Sequence, residues 1–155
     1  MQVKIAAVGR MRSGPEAELV TDYLDRFGKS GRPVGLTGAA LIEVEAKKGG
    51  MAAEAILLEK ALGNARPLVV LDERGKLMTS PEFAEKLGDW RDQGISEVGF
   101  VIGGADGIDP ALRARSDFAL SFGKMVWPHM LARVMLAEQL YRAASILAGS
   151  PYHRV

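Results

Sequence analysis

Cysteine is absent from this chain of 155 residues. That excludes a disulfide framework and any thiolate-held metal, and it fits a reducing cytoplasm. Histidine is scarce too. His129 and His153 stand alone, with no HExxH pair, so no metal site is expected. Long apolar runs are missing, so no membrane span is expected. The opening MQVKIAAVGR has too short an apolar stretch for a signal peptide and reads as a first strand. No serine sits in a GxSxG elbow, which leaves hydrolase chemistry without a nucleophile. Glycines are plentiful, yet neither GxGxxG nor a Walker loop occurs, so phosphate-cradling nucleotide binding is disfavoured. Internal repeats and low-complexity tracts are likewise absent.

What is present describes one domain over residues 1–155. A chain 48% hydrophobic and 25% charged has enough apolar matter for a single core. Residues 3–8 (VKIAAV) predict a strand. Pro15 opens a helix to about Phe27, with Leu19, Val20, Tyr23, Leu24 and Phe27 at helical spacing. Residues 28–38 hold four glycines and a proline and read as a flexible loop. A second strand follows at 40–44, a mobile basic loop at 47–50, and a helix at 51–62 closed by Gly63. Residues 68–71 (LVVL) read as a central parallel strand, covered on both faces. They run into a loop, Asp72 to Lys76, where Asp72 and Glu73 could position a ligand but solvated loop charges are the default reading.

Thr79 and Glu82 have capping-box spacing around Pro81, opening a helix that ends near Gly94. A fourth strand spans 98–102, Asp109-Pro110 opens a short helix to about Arg115, and a fifth strand spans 118–122. A long helix begins at Pro128 or His129 and ends at Leu147. Alternating strands and helices predict an α/β fold with a mainly parallel sheet. Ligands of such sheets bind at the carboxyl ends of the strands, here after Leu71, Ile102 and Phe122.

The last helix is apolar nearly all round, so it is expected to be buried on more than one side, with a second subunit on the face its own sheet leaves open. Glu138 and Arg142 form an i,i+4 pair. The net charge is +1, but from Pro110 onward six cations face two carboxylates, a balance of +4 that leaves −3 for the rest. Such polarity suits a basic end facing an anionic partner. On spacing alone Gly103-Gly104 is a tight turn, His129 a helix-start residue and His153 part of a frayed tail.

Three ordered motifs sharpen this. LDERGKLMTSPEFAEKL (residues 71–87), FVIGGADGI (100–108), and SFGKMVWPHMLARVMLAEQLYRA with the closing SPYHR (121–143 and 150–154) resemble the RlmH-type SPOUT methyltransferases. Those enzymes methylate N3 of a pseudouridine in large-subunit ribosomal RNA. The likeness runs from Leu68 to Arg154; residues 1–62 share layout more than identity.

The resemblance implies a SPOUT fold with a C-terminal trefoil knot, an exception to the rule against threaded loops. It also implies S-adenosylmethionine as cofactor, a homodimer, and ribosomal RNA in the ribosome or large subunit as partner, with no membrane and no metal. Leu71 and Gly103 would touch the cofactor. Phe122, Gly123, Lys124, Met125, Val126 and Trp127 would wrap its adenosine. Tyr152, His153 and Arg154 would reach the reacting base: Tyr152 by stacking, His153 as proton acceptor, and Arg154 or Arg142 by holding charge on the carbonyls. A cofactor-free RNA-binding module and a SPOUT enzyme acting on tRNA are the rival readings.

Overall fold

The computed structural model describes residues 1–154. Five strands build one parallel sheet: β1 (Gln2–Val8), β2 (Gly38–Val44), β3 (Leu68–Leu77), β4 (Glu97–Ile102) and β5 (Phe118–Ser121). Their spatial order is β2-β1-β4-β3-β5, and every pairing is parallel. The helices are α1 (Pro15–Gly31), α2 (Gly50–Leu62), α3 (Ser80–Asp92), α4 (Pro110–Arg115) and α5 (His129–Leu147).

β4 lies at the centre, and Val98 through Ile102 are buried because helices cover both faces of a parallel sheet. On one face α1, α3 and α5 pack Phe27, Phe83, Leu87, Leu136 and Leu140 against Val3, Ile5 and Phe100. On the other, α2 and α4 pack Leu58, Leu62 and Leu112 against Ala6, Val70 and Val101. Each buried leucine contributes roughly 1.5–3 kcal/mol over an exposed one. Gly99 belongs to the packing, since a Cβ there would stand 3.0 Å from Leu62 Cδ1.

Local capping signals hold. The Thr79 side chain accepts from the Glu82 N–H while the Glu82 carboxylate accepts from the Thr79 N–H, a complete capping box. Asp109 caps α4 at Ala111 and Leu112. Gly63, at positive φ, ends α2. Pro128 is the residue before the first turn of α5 rather than within it.

Two expectations are corrected. The glycine-rich stretch 28–38 is not a flexible loop: α1 continues to Gly31, a 3-10 turn follows at Arg32–Val34, and β2 begins at Gly38. Gly31 serves close packing, for a Cβ there would lie 2.7 Å from the Leu36 carbonyl oxygen. Residues 72–76 are not a plain loop either. Leu71 and Lys76 both pair with Leu120, so the segment between them bulges out and the strand resumes. Gly75 makes this possible, because a Cβ there would sit 2.7 Å from the Ala119 carbonyl oxygen.

Candidate functional site

The carboxyl ends of β3, β4 and β5 open into a cleft of about 600 Å³, a size that suits a small-molecule ligand. Leu71 lines it from the end of β3. Gly103 through Ile108 line it from the turn after β4, and Phe122 and Gly123 from the loop after β5. Met125, Val126 and Trp127 complete the rim, and His129 and Ala132 close it from the first turns of α5. The structure therefore brings seven of the eight residues expected around the cofactor to one cleft; Lys124 is exposed and not part of its lining.

The turn after β4 explains its own sequence. Gly107 donates its N–H to the Gly104 carbonyl at 3.0 Å. A Cβ on Gly103 would lie 2.5 Å from the Gly107 oxygen, so only glycine lets the chain fold back there. Gly107 and Gly123 both have positive φ, and no heavy atom stands within 4 Å of where their Cβ would be. Beside these two glycines the cleft is open. Ser121 shapes the other wall. Its hydroxyl accepts from the Gly123 N–H at 3.1 Å and has its own proton to share between the carbonyls of Gly123, at 2.9 Å, and Glu73, at 3.1 Å.

Met125 and Val126 are 74% and 79% exposed. Consecutive exposed apolar side chains beside a cleft mark an interaction surface.

For Asp72 the default reading of a solvated loop charge is corrected. Its side chain is buried at the cleft wall. Oδ1 accepts from the Arg74 N–H at 2.9 Å and Nε at 3.0 Å, and Oδ2 accepts from the second arm of Arg74 at 3.0 Å and forms an ion pair with Arg113 Nε at 3.1 Å. The Arg74 hydrogen bonds hold its carboxyl below the usual carboxylate range, against the opposing effect of burial. An acid placed directly after a fully apolar strand, with arginine two residues on, was the available signal.

The expected basic end is also corrected. Arg133 is buried and pairs with Glu43 at 2.9 Å, and Arg113, Arg115 and Arg142 pair with Asp72, Glu59 and Glu138. Four of the six C-terminal cations are thus paired with carboxylates, Arg115 at the surface. Only Lys124 and Arg154 form no ion pair among the described residues.

Nor is the tail frayed among the described residues. The Tyr152 ring packs 4.5 Å from Tyr141 and its hydroxyl donates to Glu138 Oε1 at 2.9 Å. Burial first, then that hydrogen bond, raises the Tyr152 phenol well above its ordinary value. Arg142 lies over the same ring and donates to Glu138 and to His153 Nδ1, the latter at 3.2 Å. A guanidinium only donates, so Nδ1 is the acceptor and the imidazole proton sits on Nε2. Arg154 is exposed.

This cluster lies along α5, thirteen residues beyond His129 at Arg142, or roughly 20 Å at the helical rise. Within one chain, the cleft residues and Arg142, Tyr152 and His153 are not brought together.

Among the described residues, no group of acidic, histidine or cysteine side chains could hold a metal ion, and no helix is long and apolar enough to cross a membrane. A family model described as a predicted SPOUT methyltransferase matches residues 1–153. The chain is 64% identical over 156 residues to the ribosomal RNA large subunit methyltransferase H of Ruegeria sp. (strain TM1040), covering all of both chains. Its fold is similar to a probable methylase family protein of Haemophilus influenzae, with TM-score 0.56 and 11% identity over 99% of this chain and 70% of that one. It is also similar to a putative methyltransferase of Legionella pneumophila solved with SAM bound, with TM-score 0.51 and 15% identity over 90% of this chain and 65% of that one.

Proposed function

The chain belongs to the SPOUT methyltransferase family, and on that premise we propose that it methylates N3 of a pseudouridine in 23S ribosomal RNA. It works in the cytoplasm as a homodimer, on the assembled ribosome or large subunit, with S-adenosylmethionine as cofactor. The observation that carries this reading is the cleft at the carboxyl edge, rimmed by exposed Met125, Val126 and Trp127, in a chain that matches a ribosomal RNA methyltransferase along its whole length.

The residues present fit the cofactor. Adenosine asks for an apolar slot with backbone donors and acceptors, which the loop from Phe122 to Trp127 offers. The open space beside Gly107 and Gly123 leaves room for it. Leu71 and Gly103 would bound it from the neighbouring strand ends. When bound, it supplies an electrophilic methyl group on a sulfonium. The close crossing of Gly75 over β5 supports a knotted backbone around this loop.

The tail supports the acceptor side. Tyr152 keeps its proton, so its ring serves as a stacking surface and not as a base. His153 presents Nε2–H, which suits donation to a base carbonyl as negative charge develops there, while the N3 proton passes to solvent water. This differs from the proton-accepting role read from the resemblance, because Arg142 occupies the Nδ1 lone pair. Arg154 adds an exposed positive charge, and Arg142 orients Tyr152 and His153.

A second copy resolves the separation between cleft and tail. The outer side of α5 carries Leu131, 41% exposed, and an apolar groove formed with Leu19, Leu77 and Met135. Pairing through this face buries the groove and lets one tail serve the partner's cleft.

The test is methyl transfer from labelled S-adenosylmethionine to ribosomal particles from a strain lacking this gene, with the product mapped by mass spectrometry. A methylated pseudouridine in 23S RNA is the expected result. Label on tRNA, or RNA binding without any cofactor binding, would replace this reading with one of its rivals.

A further inference from the structure

We propose that Arg10, Arg12, Lys47 and Lys48 form a basic rim beside the methyl-donor cleft that receives the phosphate backbone of the RNA substrate. The inference rests on the methyltransferase reading and says where the RNA lies on it.

All four side chains are exposed. They leave the sheet on two neighbouring loops, because β1 and β2 end side by side: Val8 pairs with Val44, and the Gly9 N–H donates to the Val44 carbonyl at 2.8 Å. Both loops adjoin the cleft. The Cβ position of Gly9 lies 4.0 Å from His129 Nε2, and that of Gly104 lies 3.0 Å from Val8 Cγ1 and 3.4 Å from Glu54 in α2. His129 and Gly104 are cleft residues.

The rim's charge is available. Arg12, Lys47 and Lys48 form no ion pair among the described residues, and Arg10 reaches Glu45 only at 3.8 Å with both side chains largely exposed. Such a pair is weak and screened. Of the other nearby acids, Glu43 is committed to Arg133 and to the Met11 N–H, while Glu54 faces the Gly104 turn. Across residues 9–14 and 45–50 four cations face one carboxylate, a net of +3. α2 begins here with no side-chain cap and no acid in its first turn, which adds the positive end of its dipole. Meanwhile most C-terminal cations are consumed by internal pairs. The free positive charge near the cleft therefore sits on the segment whose overall balance is negative.

Phosphate contacts position a nucleic acid without reading its sequence, and each releases counterions. The experiment compares wild type with the double variants Arg10→Ala/Arg12→Ala and Lys47→Ala/Lys48→Ala, using large subunits from the gene-deleted strain. Expected is a KM for ribosomal particles raised about tenfold, kcat retained at saturation, and cofactor affinity unchanged. The plot of log(kcat/KM) against log salt should become shallower by roughly 0.7–0.9 per lost phosphate contact. Unchanged KM and salt slope in both variants, with wild type active, would overturn the rim alone. So would cofactor affinity falling in step with KM. A wild type that transfers no methyl to ribosomal particles would instead overturn the function from which the rim follows.

Discussion

The guanidinium of Arg133, on α5, meets the carboxylate of Glu43, on β2, at 2.9 Å across ninety residues of chain. Arg133 also donates to the carbonyls of Val8 and Gly9 at the end of β1. Burial lowers its pKa below the ordinary arginine value, and the Glu43 hydrogen bond acts in the opposite direction. The contact fixes the start of α5, and with it the loop that rims the cleft, against the opposite edge of the sheet. Glu43→Gln leaves the guanidinium buried without its counter-charge. We expect a loss of about 3 kcal/mol, the lower part of the range for breaking a buried pair, since Glu43 keeps some water. Urea unfolding measures it; a loss under about 0.5 kcal/mol would place the pair with exposed, screened ones.

Asp72 predicts a pH dependence. Its folded pKa is depressed by Arg74, so its contribution is present above the unfolded value, about 3.9. It is lost as pH falls from there through the lower folded value. Asp72→Asn should be less stable than wild type by about 2 kcal/mol near neutrality. The two should converge in acid, once pH has fallen below the depressed folded value. Denaturant midpoints between pH 7 and pH 2 check this, and a gap that stays constant over that range would rule out titration of Asp72 as its source.

Two substitutions at the cleft separate space from contact. Gly103→Ala drives a methyl group onto the Gly107 carbonyl oxygen. The turn must shift, which costs about 1–3 kcal/mol of stability and weakens cofactor binding with it. Trp127→Ala, at a residue 43% exposed, should leave the melting temperature nearly unchanged while weakening cofactor binding about tenfold. Calorimetric titration beside thermal melts reads both. Equal stability losses in the two variants would mean that Trp127 is a packing residue.

The tail predicts complementation. His153→Ala should lower kcat strongly and leave cofactor affinity in place. Gly103→Ala should do the reverse. If each tail serves the partner's cleft, unfolding and refolding an equal mixture of the two variants should restore about a quarter of wild-type activity, assayed at a cofactor concentration too low to load the Gly103→Ala cleft. Half the dimers are then mixed, and each of those holds one intact site. A mixture as inactive as its parents would put cleft and tail of the same chain together.

The sequence by itself determined the features whose causes are local. Thr79 with Glu82, Asp109 with Pro110, and Gly63 mark helix ends because a cap needs only residues within one turn. The apolar runs at Val69 and Phe100 declared buried parallel strands, because both faces of such a strand meet side chains. Gly103 and Trp127 were singled out by the resemblance of their motifs to a known family, since on spacing alone Gly103-Gly104 read as a tight turn.

Only the tertiary structure decided where charges end. Asp72 looked solvated until Arg113, 41 positions on, closed over it. The C-terminal cations looked free until Glu43, Glu59 and Asp72 folded back to meet them. The glycines of residues 28–38 looked flexible until Leu36 was seen to pack against Gly31. Counting residues along a chain cannot anticipate this. The free energy of a charge depends on which distant partner shares its low-dielectric surroundings, and that is a property of the assembled fold.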